Sequence, residues 1–368
     1  MENNQTLAYL AEKFGIEGTV KGFEVVRHGH INGTFDVAIE REDGVEKHYF
    51  FQRVNTFVFK HPEQIMSNIA HVTGHLAQKL EQLGESRHGA MRFVTRPGGA
   101  NFYIKGDEFW RVSKAVPNAL TINVCQNPES FRSAGQGFGH FQMLLADFDA
   151  SKLYETIPNF HNTKWRLETL WANVEADPCG RAKEVTQELK SIRRLSALAC
   201  RLGEMLDAGE LPLRVTHNDT KINNIIFDKD TLKAKTVIDL DTVMPGLVAN
   251  DFGDAIRFTG NTAKEDEADL SKVGLSLTMF RAFTEGFLGE VKNALTPAEI
   301  DTLALGAFTM TLELVARFLA DYLVGDQYFK VAYPEHNLVR ARCQLRLAED
   351  MFDKFDDMNR IVAEVAAE

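Results

Sequence analysis

Cysteine is scarce in this chain, and none of its cysteines is spaced for a shared metal or a paired redox site. Cys125, Cys179, Cys200 and Cys343 lie far apart in 368 residues, without a CxxC or CxxH pattern. A disulfide-stabilised secreted domain or a zinc ribbon needs more closely grouped cysteines. A chain of this length buries a large core without such cross-links. We therefore expect reduced thiols in a cytoplasmic protein.

Positive charge and long apolar runs are also in short supply. Lys and Arg total 41 against 52 Asp and Glu, which gives a formal net charge of −11. Duplex nucleic-acid binding and adhesion to anionic membranes both need clustered cations. The start of the chain lacks an apolar signal region, and no apolar run approaches the roughly 18–20 residues of a membrane span. We expect neither a nucleic-acid nor a membrane partner, although a divalent cation could still bring in an anionic nucleotide.

The hydrophobic pattern divides the chain into a strand-rich part and a helical part. Strand-like alternation occurs at 23–28, 34–40, 48–54, 91–95 and 108–116, and helical spacing starts at Pro62 and runs over 62–82. Helical spacing dominates later, at 129–147, 181–207, 303–323 and 337–355. The pattern predicts an α+β chain, with a small antiparallel β-rich region at 1–116 and a larger helical region at 117–368.

A glycine triplet, Gly135-x-Gly137-x-Gly139, is superficially similar to a dinucleotide-binding loop. No strand precedes it, and the phenylalanines around it have helical spacing. We therefore interpret the triplet as a site of close helix packing.

The most informative segment is VTHNDTKINNIIFD, which begins at residue 215. It contains His217 and Asp219, then Asn224 five residues after the aspartate, and an apolar strand follows. A second strand-like run ends at Asp239. A polar hairpin turn with ordinary caps is the structural alternative, but four specified positions and two flanking apolar runs together favour a catalytic loop.

The chemistry of phosphoryl transfer explains this spacing. One carboxylate beside the acceptor hydroxyl orients it and takes its proton, while a carboxamide and a second carboxylate hold Mg²⁺ against nucleotide phosphates. On this hypothesis Asp219 is the base, and Asn224 and Asp239 are the metal ligands. His217 is expected to support the loop by hydrogen bonding rather than to carry a proton. Asp241, two residues after Asp239, is a candidate second metal ligand or acceptor contact.

The loop HNDTKINN resembles the H-G-D-L-H-x-x-N loop of the aminoglycoside phosphotransferase and choline kinase superfamily. Other segments, spread through almost the whole chain, resemble those of the N-acetylhexosamine 1-kinases within it. These segments are GHINGTF, FFQRVNTFVFKHPEQIMSNI, FGHFQMLLADF, IPNFHNTKWR, VIDLDTVMPGLVANDFGDAIR, FLADYLVGDQYF and HNLVRARCQL.

This resemblance implies a protein-kinase-like two-lobed fold, with a small antiparallel β-rich N-terminal lobe and a larger helical C-terminal lobe. It implies ATP and Mg²⁺ as cofactors, and phosphorylation of the anomeric hydroxyl of an N-acetylhexosamine in carbohydrate metabolism. Asp251 resembles the buried aspartate that supports the catalytic loop in this family. A helix N-cap is its structural alternative, and the two roles are compatible.

The resemblance also suggests where the nucleotide binds. Gly29, His30, Asn32 and Gly33 lie between the first two strands, where a kinase loop covers the phosphates, although a plain hairpin turn gives the same pattern. The ATP base is expected between the lobes, against the connector backbone around Ser113–Val116.

One position departs from the kinase pattern. The third strand of a kinase usually presents a lysine to the phosphates and pairs it with a helix glutamate. Here Gln52 stands at that position, and Arg53 points to the other face. Either the Arg53 side chain bends round the strand to contact the phosphates, or the phosphates are bound by the metal ion and by the backbone amides of the loop. Glu63 is a candidate helix partner or a first-turn carboxylate favoured by the helix dipole.

The acceptor site is expected in the helical lobe, where polar and aromatic side chains occur together. Candidate contacts are His161, Arg317, Asp321 and Tyr322. Their structural alternative is a set of interhelical polar contacts. Two functional alternatives remain open: a kinase for an aminoglycoside, choline or homoserine, and a catalytically inactive pseudokinase that binds nucleotide or sugar.

Overall fold

The structure, a computed structural model, describes residues 4–26, 32–125 and 127–368. Its strands β1 to β10 are Thr19–Val26, Gly33–Glu40, Glu46–Val54, Tyr103–Lys105, Glu108–Lys114, Ala119–Thr121, Arg214–Thr216, Ile225–Asp228, Ala234–Val237 and Met244–Gly246. Its helices α1 to α12 are Asn4–Lys13, Pro62–Gln82, Pro128–Leu144, Thr163–Ala176, Thr186–Ala199, Arg201–Asp207, Val248–Thr259, Leu277–Val291, Pro297–Asp301, Leu303–Leu323, His336–Asp353 and Phe355–Ala367.

The chain divides into two compact units. The first comprises Met1–Ala119, Ser151–Ile157 and Thr236–Val243, and the second comprises Leu120–Ala150, Pro158–Lys235 and Met244–Glu368.

The first unit is built on an antiparallel sheet of five strands in the order β1-β2-β3-β5-β4. Period-two alternation in β2 directs Phe35, Val37 and Ile39 to one face, where all three are buried. Phe51 pairs with Val112 across β3 and β5 and joins the same core. Helix α1 adds Leu7, Leu10 and Ala11 to this cluster.

Helix α2 contacts the two segments of the first unit that come later in the chain, Ser151–Ile157 and Thr236–Val243. It begins with Pro62 in its first turn and buries Ile65, Ile69, Val72, Leu76 and Leu80, as the helical spacing predicts. On the same helix the Asn68 side chain, 1% exposed, donates to the carbonyl oxygens of Tyr154 and Val243 at 2.8 and 3.0 Å. One buried amide therefore holds both distant segments, because it satisfies backbone groups that burial would otherwise leave unpaired.

The second unit is mostly helical, and α10 lies at its centre, packed against α4, α7 and α11. Among the described helices, α10 alone is long and apolar enough to cross a membrane. Of its apolar stretch, 94% is buried inside the protein. The expectation that no segment approaches a membrane span is therefore wrong for α10. Its burial inside the unit accounts for its composition.

The glycine triplet packs helix α3 closely against helix α8. A Cβ atom on Gly135 would lie 2.4 Å from the Phe283 carbonyl oxygen, and one on Gly139 would lie 2.5 Å from that of Phe287. Both contacts are with backbone, which cannot move aside as a side chain can. The interpretation as a helix-packing site is confirmed.

The observed order of elements confirms the predicted α+β class, with an antiparallel β-sheet first and helices after it. Two local predictions were wrong. Residues 91–95 form only an isolated bridge between Phe93 and Ser113, and the edge strand is β4 instead. The predicted helix over 181–207 is interrupted at Cys200, which separates α5 from α6.

Candidate active site

The predicted catalytic loop connects β7 to β8 within the second unit. After β7 ends at Thr216, the chain turns and a single 3₁₀ turn, Ile222–Asn224, leads directly into β8. The Asn224 amide donates to the Asp219 carbonyl oxygen at 2.8 Å and to its carboxylate Oδ2 at 3.1 Å. The five-residue spacing therefore lets one carboxamide close the loop onto the aspartate.

Asp219 is partly exposed and faces a cation. Its side chain is 28% exposed, and its Oδ1 lies 2.8 Å from Lys221 Nζ. Burial opposes ionisation of Asp219, but Lys221 and the Asn224 hydrogen bond outweigh it and lower its pKa to about 2. Asp219 is thus an accessible, ionised carboxylate that can accept a hydrogen bond from a hydroxyl. A carboxylate this acidic is a weak base, so orienting a hydroxyl is the part of general-base chemistry that it suits best.

Asp251, on helix α7, holds the backbone of this loop. Its Oδ2 accepts from the His217 amide at 2.8 Å, and its Oδ1 accepts from the Asn218 amide at 2.7 Å. The Thr220 hydroxyl donates to the Asp251 carbonyl oxygen. His217 is fully buried, and its Nδ1 accepts from the Asp219 amide at 3.3 Å. The loop is therefore fixed through its own peptide groups and not only through its side chains.

Asp239 lies in the first unit, at the end of β9. It is exposed and has left-handed backbone dihedrals, φ 60° and ψ 58°, immediately before the 3₁₀ turn Leu240–Thr242. This conformation is uncommon outside glycine, and aspartate is among the residues that tolerate it. The turn gives Asp239 and Asp241 different surroundings although they are two residues apart.

Asp241 is 3% exposed and belongs to a buried polar cluster of the first unit. Its Oδ1 forms an ion pair with Arg111 of β5, which is 2% exposed. Its Oδ2 accepts from the Asn32 amide at 2.7 Å, and Asn32 Oδ1 accepts from the Asn55 backbone amide at 3.0 Å. Both carboxylate oxygens of Asp241 therefore have protein donors. The predicted role of Asp241 as a second metal ligand or acceptor contact does not follow from these hydrogen bonds, and it stays a prediction.

The two residues at the expected lysine position face opposite sides of β3. Gln52 donates to the Thr34 hydroxyl at 3.2 Å and accepts from Arg111 Nε at 3.0 Å. Arg53, 42% exposed, forms a 2.8 Å ion pair with Glu108. The strand alternation inferred from sequence places Gln52, and not Arg53, on the side of the buried cluster.

The cation beside Gln52 therefore comes from the neighbouring strand. Arg111 stands opposite Gln52 in the β3–β5 register. Helix α2 turns Met66 towards it, with the sulfur 3.9 Å from Arg111 Nη1, whereas Glu63 is exposed. The buried charge pair on this face is thus Arg111–Asp241, where the kinase pattern has a lysine and a helix glutamate.

The other predicted nucleotide residues all belong to the first unit, and two of them cannot be described. Gly29 and His30 lie outside the described residues. Gly33 begins β2 and Ser113 is buried in β5, whereas Val116 is half-buried just after that strand.

A cavity of about 170 Å³ opens in the second unit between α4, α10 and the segment that follows α10. Arg317 and Asp321, two of the four predicted acceptor contacts, line it. Its lining residues are Arg166, Thr169, Asn173, Arg317, Ala320, Asp321, Val324, Tyr328 and Phe329. Asp321 accepts from the backbone amides of residues 327, 328 and 329 at 2.8–2.9 Å, so its carboxylate orders one wall.

The other two predicted acceptor contacts do not line the cavity. The Tyr322 hydroxyl donates to Glu184 at 2.9 Å, and burial together with that carboxylate raises its pKa to about 12. His161 lies between Glu313 and the backbone of the catalytic loop. The cavity therefore brings together Arg317 and Asp321, whereas the side chains of His161 and Tyr322 make their hydrogen bonds outside its lining.

Sequence comparison decides the family. The model of the phosphotransferase enzyme family, which contains the aminoglycoside phosphotransferases, matches residues 25–277, more than half of the chain. This chain belongs to that family. The protein is accordingly a small-molecule kinase, and the predicted superfamily and enzyme class are confirmed.

Solved structures share the fold of this phosphotransferase at low sequence identity. An aminoglycoside phosphotransferase from Alicyclobacillus acidocaldarius aligns with a TM-score of 0.61 and 13% identity, over 94% of this chain and 93% of that one. Choline kinase from Cryptosporidium parvum aligns with a TM-score of 0.57 and 12% identity over all of both chains. A spectinomycin phosphotransferase solved with ADP and spectinomycin aligns with a TM-score of 0.56 and 15% identity, over 100% of this chain and 98% of that one. The protein-kinase-like fold is thereby confirmed.

Three residues that contact the predicted site residues of this phosphotransferase were not identified from the sequence. Lys221 could have been noticed, because it lies two residues after Asp219 within the same motif. Arg111 pairs with Asp241 across 130 residues, and Glu313 meets His161 across 152. No local pattern in the sequence signals contacts of that separation.

Proposed function

We propose that this phosphotransferase uses ATP and Mg²⁺ to phosphorylate the anomeric hydroxyl of an N-acetylhexosamine. Asp219 is the proposed base, and its geometry is the observation that carries the proposal. It is ionised and 28% exposed, on a loop whose backbone is tied to Asp251. Phosphoryl transfer depends mainly on positioning and charge neutralisation, so an ordered carboxylate beside the acceptor suits it.

Asn224 and Asp239 are the proposed Mg²⁺ ligands, and their donor atoms fit that ion. The Asn224 amide nitrogen donates towards Asp219, which leaves its carbonyl oxygen for a cation. Asp239 offers an exposed carboxylate. Among the described residues, no group of three or more His, Cys, Asp and Glu could hold a metal. Few protein ligands are expected, because Mg²⁺ of this kind is completed by substrate phosphates and water. Bound there, it would neutralise phosphate charge.

The nucleotide is proposed to contact the first unit. Its base would lie against the backbone around Ser113 and Val116, and its phosphates near Asn32 and Gly33. Asn32 is anchored on both sides, to Asp241 and to the Asn55 amide, so the end of the β1–β2 connection is held firmly. A rigid anchor of this kind lowers the entropic cost of holding a phosphate.

The cavity of the second unit supports a neutral acceptor over a cationic one. Arg166 and Arg317 both line it. Burial and, to a smaller extent, the charge of Arg317 lower the pKa of Arg166 to about 10, which leaves Arg166 charged at neutral pH. Two guanidinium groups repel choline or an aminoglycoside, whereas they can donate hydrogen bonds to sugar oxygens. At about 170 Å³ the cavity suits part of a sugar rather than a drug-sized ligand, which needs about 300–1,000 Å³.

Arg317 is the proposed acceptor contact with the most donors to offer. Its guanidinium lies over the rings of Phe160 and Phe329, at 5.1 and 5.6 Å from their centres. Within the described part of the chain it makes no hydrogen bond or ion pair. A planar donor group held on aromatic rings can bind a hydroxyl or an acetamido oxygen without first breaking a protein contact.

Phosphate transfer to a set of acceptors tests this function. The purified protein is incubated with ATP and Mg²⁺ and, separately, N-acetylglucosamine, N-acetylgalactosamine, glucose, choline or kanamycin, and the product is examined by ³¹P NMR. We expect preference for an N-acetylhexosamine with phosphate on the anomeric oxygen. Transfer only to choline or kanamycin would contradict the acceptor and leave the kinase chemistry intact. No transfer, together with tight ATP binding, would favour a pseudokinase.

A further inference from the structure

The imidazole of His161 connects a buried carboxylate to the catalytic loop. Its Nδ1 lies 2.9 Å from Glu313 Oε1, and its Nε2 lies 3.0 Å from the carbonyl oxygen of Asn218. The side chains of His161 and Glu313 are 7% and 1% exposed. Water therefore has little access to either hydrogen bond.

Counting donors fixes the proton on Nε2 of this ring. The Asn218 carbonyl oxygen can only accept, so Nε2 must carry a hydrogen. Glu313 is the second partner, and its other oxygen accepts from the Thr163 hydroxyl at 2.8 Å. The hydrogen bond between Nδ1 and Glu313 Oε1 holds the ring on its other side.

Asn218 is the residue through which this ring reaches Asp219. It has a left-handed backbone, φ 64°, and its amide already donates to Asp251. Its side chain exchanges hydrogen bonds with Thr216, at 3.0 and 3.2 Å. His161 holds the remaining backbone group, the carbonyl of the peptide that joins Asn218 to Asp219. Asparagine tolerates this conformation better than most residues, and the hydrogen bonds around Asn218 hold it there.

We propose that His161 is a positioning residue for phosphoryl transfer: its imidazole, held by Glu313, fixes the Asn218–Asp219 peptide and thereby the direction of the Asp219 carboxylate. This role differs from the acceptor contact predicted from sequence. It depends on the phosphotransferase activity of the family and not on the identity of the acceptor.

Two substitutions separate the two hydrogen bonds of the ring. The amide of His161→Gln can stand where Nε2 stands and keep the bond to Asn218, whereas the shorter amide of His161→Asn can replace only Nδ1 and keep the bond to Glu313. Ser191→Ala is the control, because it removes a 2.7 Å hydrogen bond to another carboxylate, Glu349, elsewhere in the same unit.

Steady-state kinetics with ATP and N-acetylglucosamine give the first readout. We expect His161→Asn to lower kcat by about 10–100-fold, in the range that misplacing a reacting group produces, with KM for ATP and for the sugar unchanged. His161→Gln should retain most of kcat, and Ser191→Ala all of it. A rise in sugar KM with unchanged kcat in both variants would overturn the proposal in favour of direct acceptor binding. Equal losses of kcat in both variants would also overturn it.

Two further readouts need no acceptor, so they stand even if the sugar assignment fails. Amide hydrogen exchange over residues 215–224 should rise at least about tenfold in His161→Asn, because local opening becomes easier, and stay near wild type in His161→Gln. In ¹⁵N-histidine spectra of the wild type at neutral pH, the signals that disappear in His161→Gln should show a protonated Nε2. An Nε2 without a proton would overturn the proposal even if His161→Asn failed to fold.

Discussion

Asp219 and Asp241 each face a basic side chain, but the two pairs lie in opposite environments. Asp219 meets Lys221 two residues away, with 28% and 32% of the side chains exposed, whereas Asp241 meets Arg111 with 3% and 2% exposed. The oxygens of both carboxylates already have donors, Lys221 and Asn224 for Asp219, and Arg111 and Asn32 for Asp241. Exposure is therefore what separates the two. It is compatible with the proposed catalytic role of Asp219 and favours a structural role for Asp241.

Breaking the buried pair should have the largest effect on stability. Asp241→Asn or Arg111→Met leaves one uncompensated buried charge or donor, and we expect a loss of about 3–5 kcal/mol in the free energy of unfolding. Urea unfolding followed by circular dichroism measures it. The double variant Arg111→Met with Asp241→Leu removes both charges and should recover part of the loss. Single variants as stable as the wild type would show that the pair does not hold the first unit.

Removing the exposed cation tests the other half of the comparison. In Lys221→Met, Asp219 loses the charge that lowers its pKa, while burial, which raises it, remains. Since the base must be deprotonated, the acid limb of kcat should move to higher pH. With a pKa of about 2 for Asp219, the wild type should show no acid limb between about pH 4 and pH 8, whereas the variant should lose kcat towards the acid end of that range. Flat profiles for both proteins would show that Lys221 does not control Asp219.

The smallest effects, on ATP affinity, are expected from substitutions on the two faces of strand β3. Gln52→Ala removes a contact to buried Arg111, so it should weaken ATP binding in a calorimetric titration. Arg53→Ala removes a surface ion pair with Glu108, worth about 0–1 kcal/mol, and should change ATP affinity less. One alternative left open by the sequence, in which Arg53 reaches round to the phosphates, predicts the opposite ranking. A larger loss in Arg53→Ala would restore that interpretation.

The sequence was most informative where a local pattern decides the structure. Helix α2 begins at Pro62 and α10 spans Leu303–Leu323, both with the bounds that apolar spacing predicts. A capping box formed by Thr296 and Glu299, another local pattern, begins helix α9. Residues 91–95 have strand propensity, yet strand formation requires a partner, and only Phe93 bridges to Ser113.

The candidate site likewise has a part that local sequence predicts and a part that depends on long-range contacts. The loop from His217 to Asn224 is local, so its spacing was visible in the sequence. The roles of Asp241 and His161 depend on Arg111 and Glu313, whose contacts depend on the tertiary fold. Residues 151–157 and 236–243 join the first unit through Asn68, which no sequence pattern predicts. Long-range polar pairing was therefore the part that could not be predicted.

The catalytic role of Asp219 is tested most directly by the turnover of Asp219→Asn at saturating ATP, measured beside its unfolding midpoint. We expect a turnover at least about 10²-fold below wild type, the range for loss of a general base, with ATP affinity and stability preserved. Asp241→Asn is the matched control, and its main effect should be a lower unfolding midpoint. Near wild-type turnover in Asp219→Asn would contradict the assignment of the chemistry to this carboxylate.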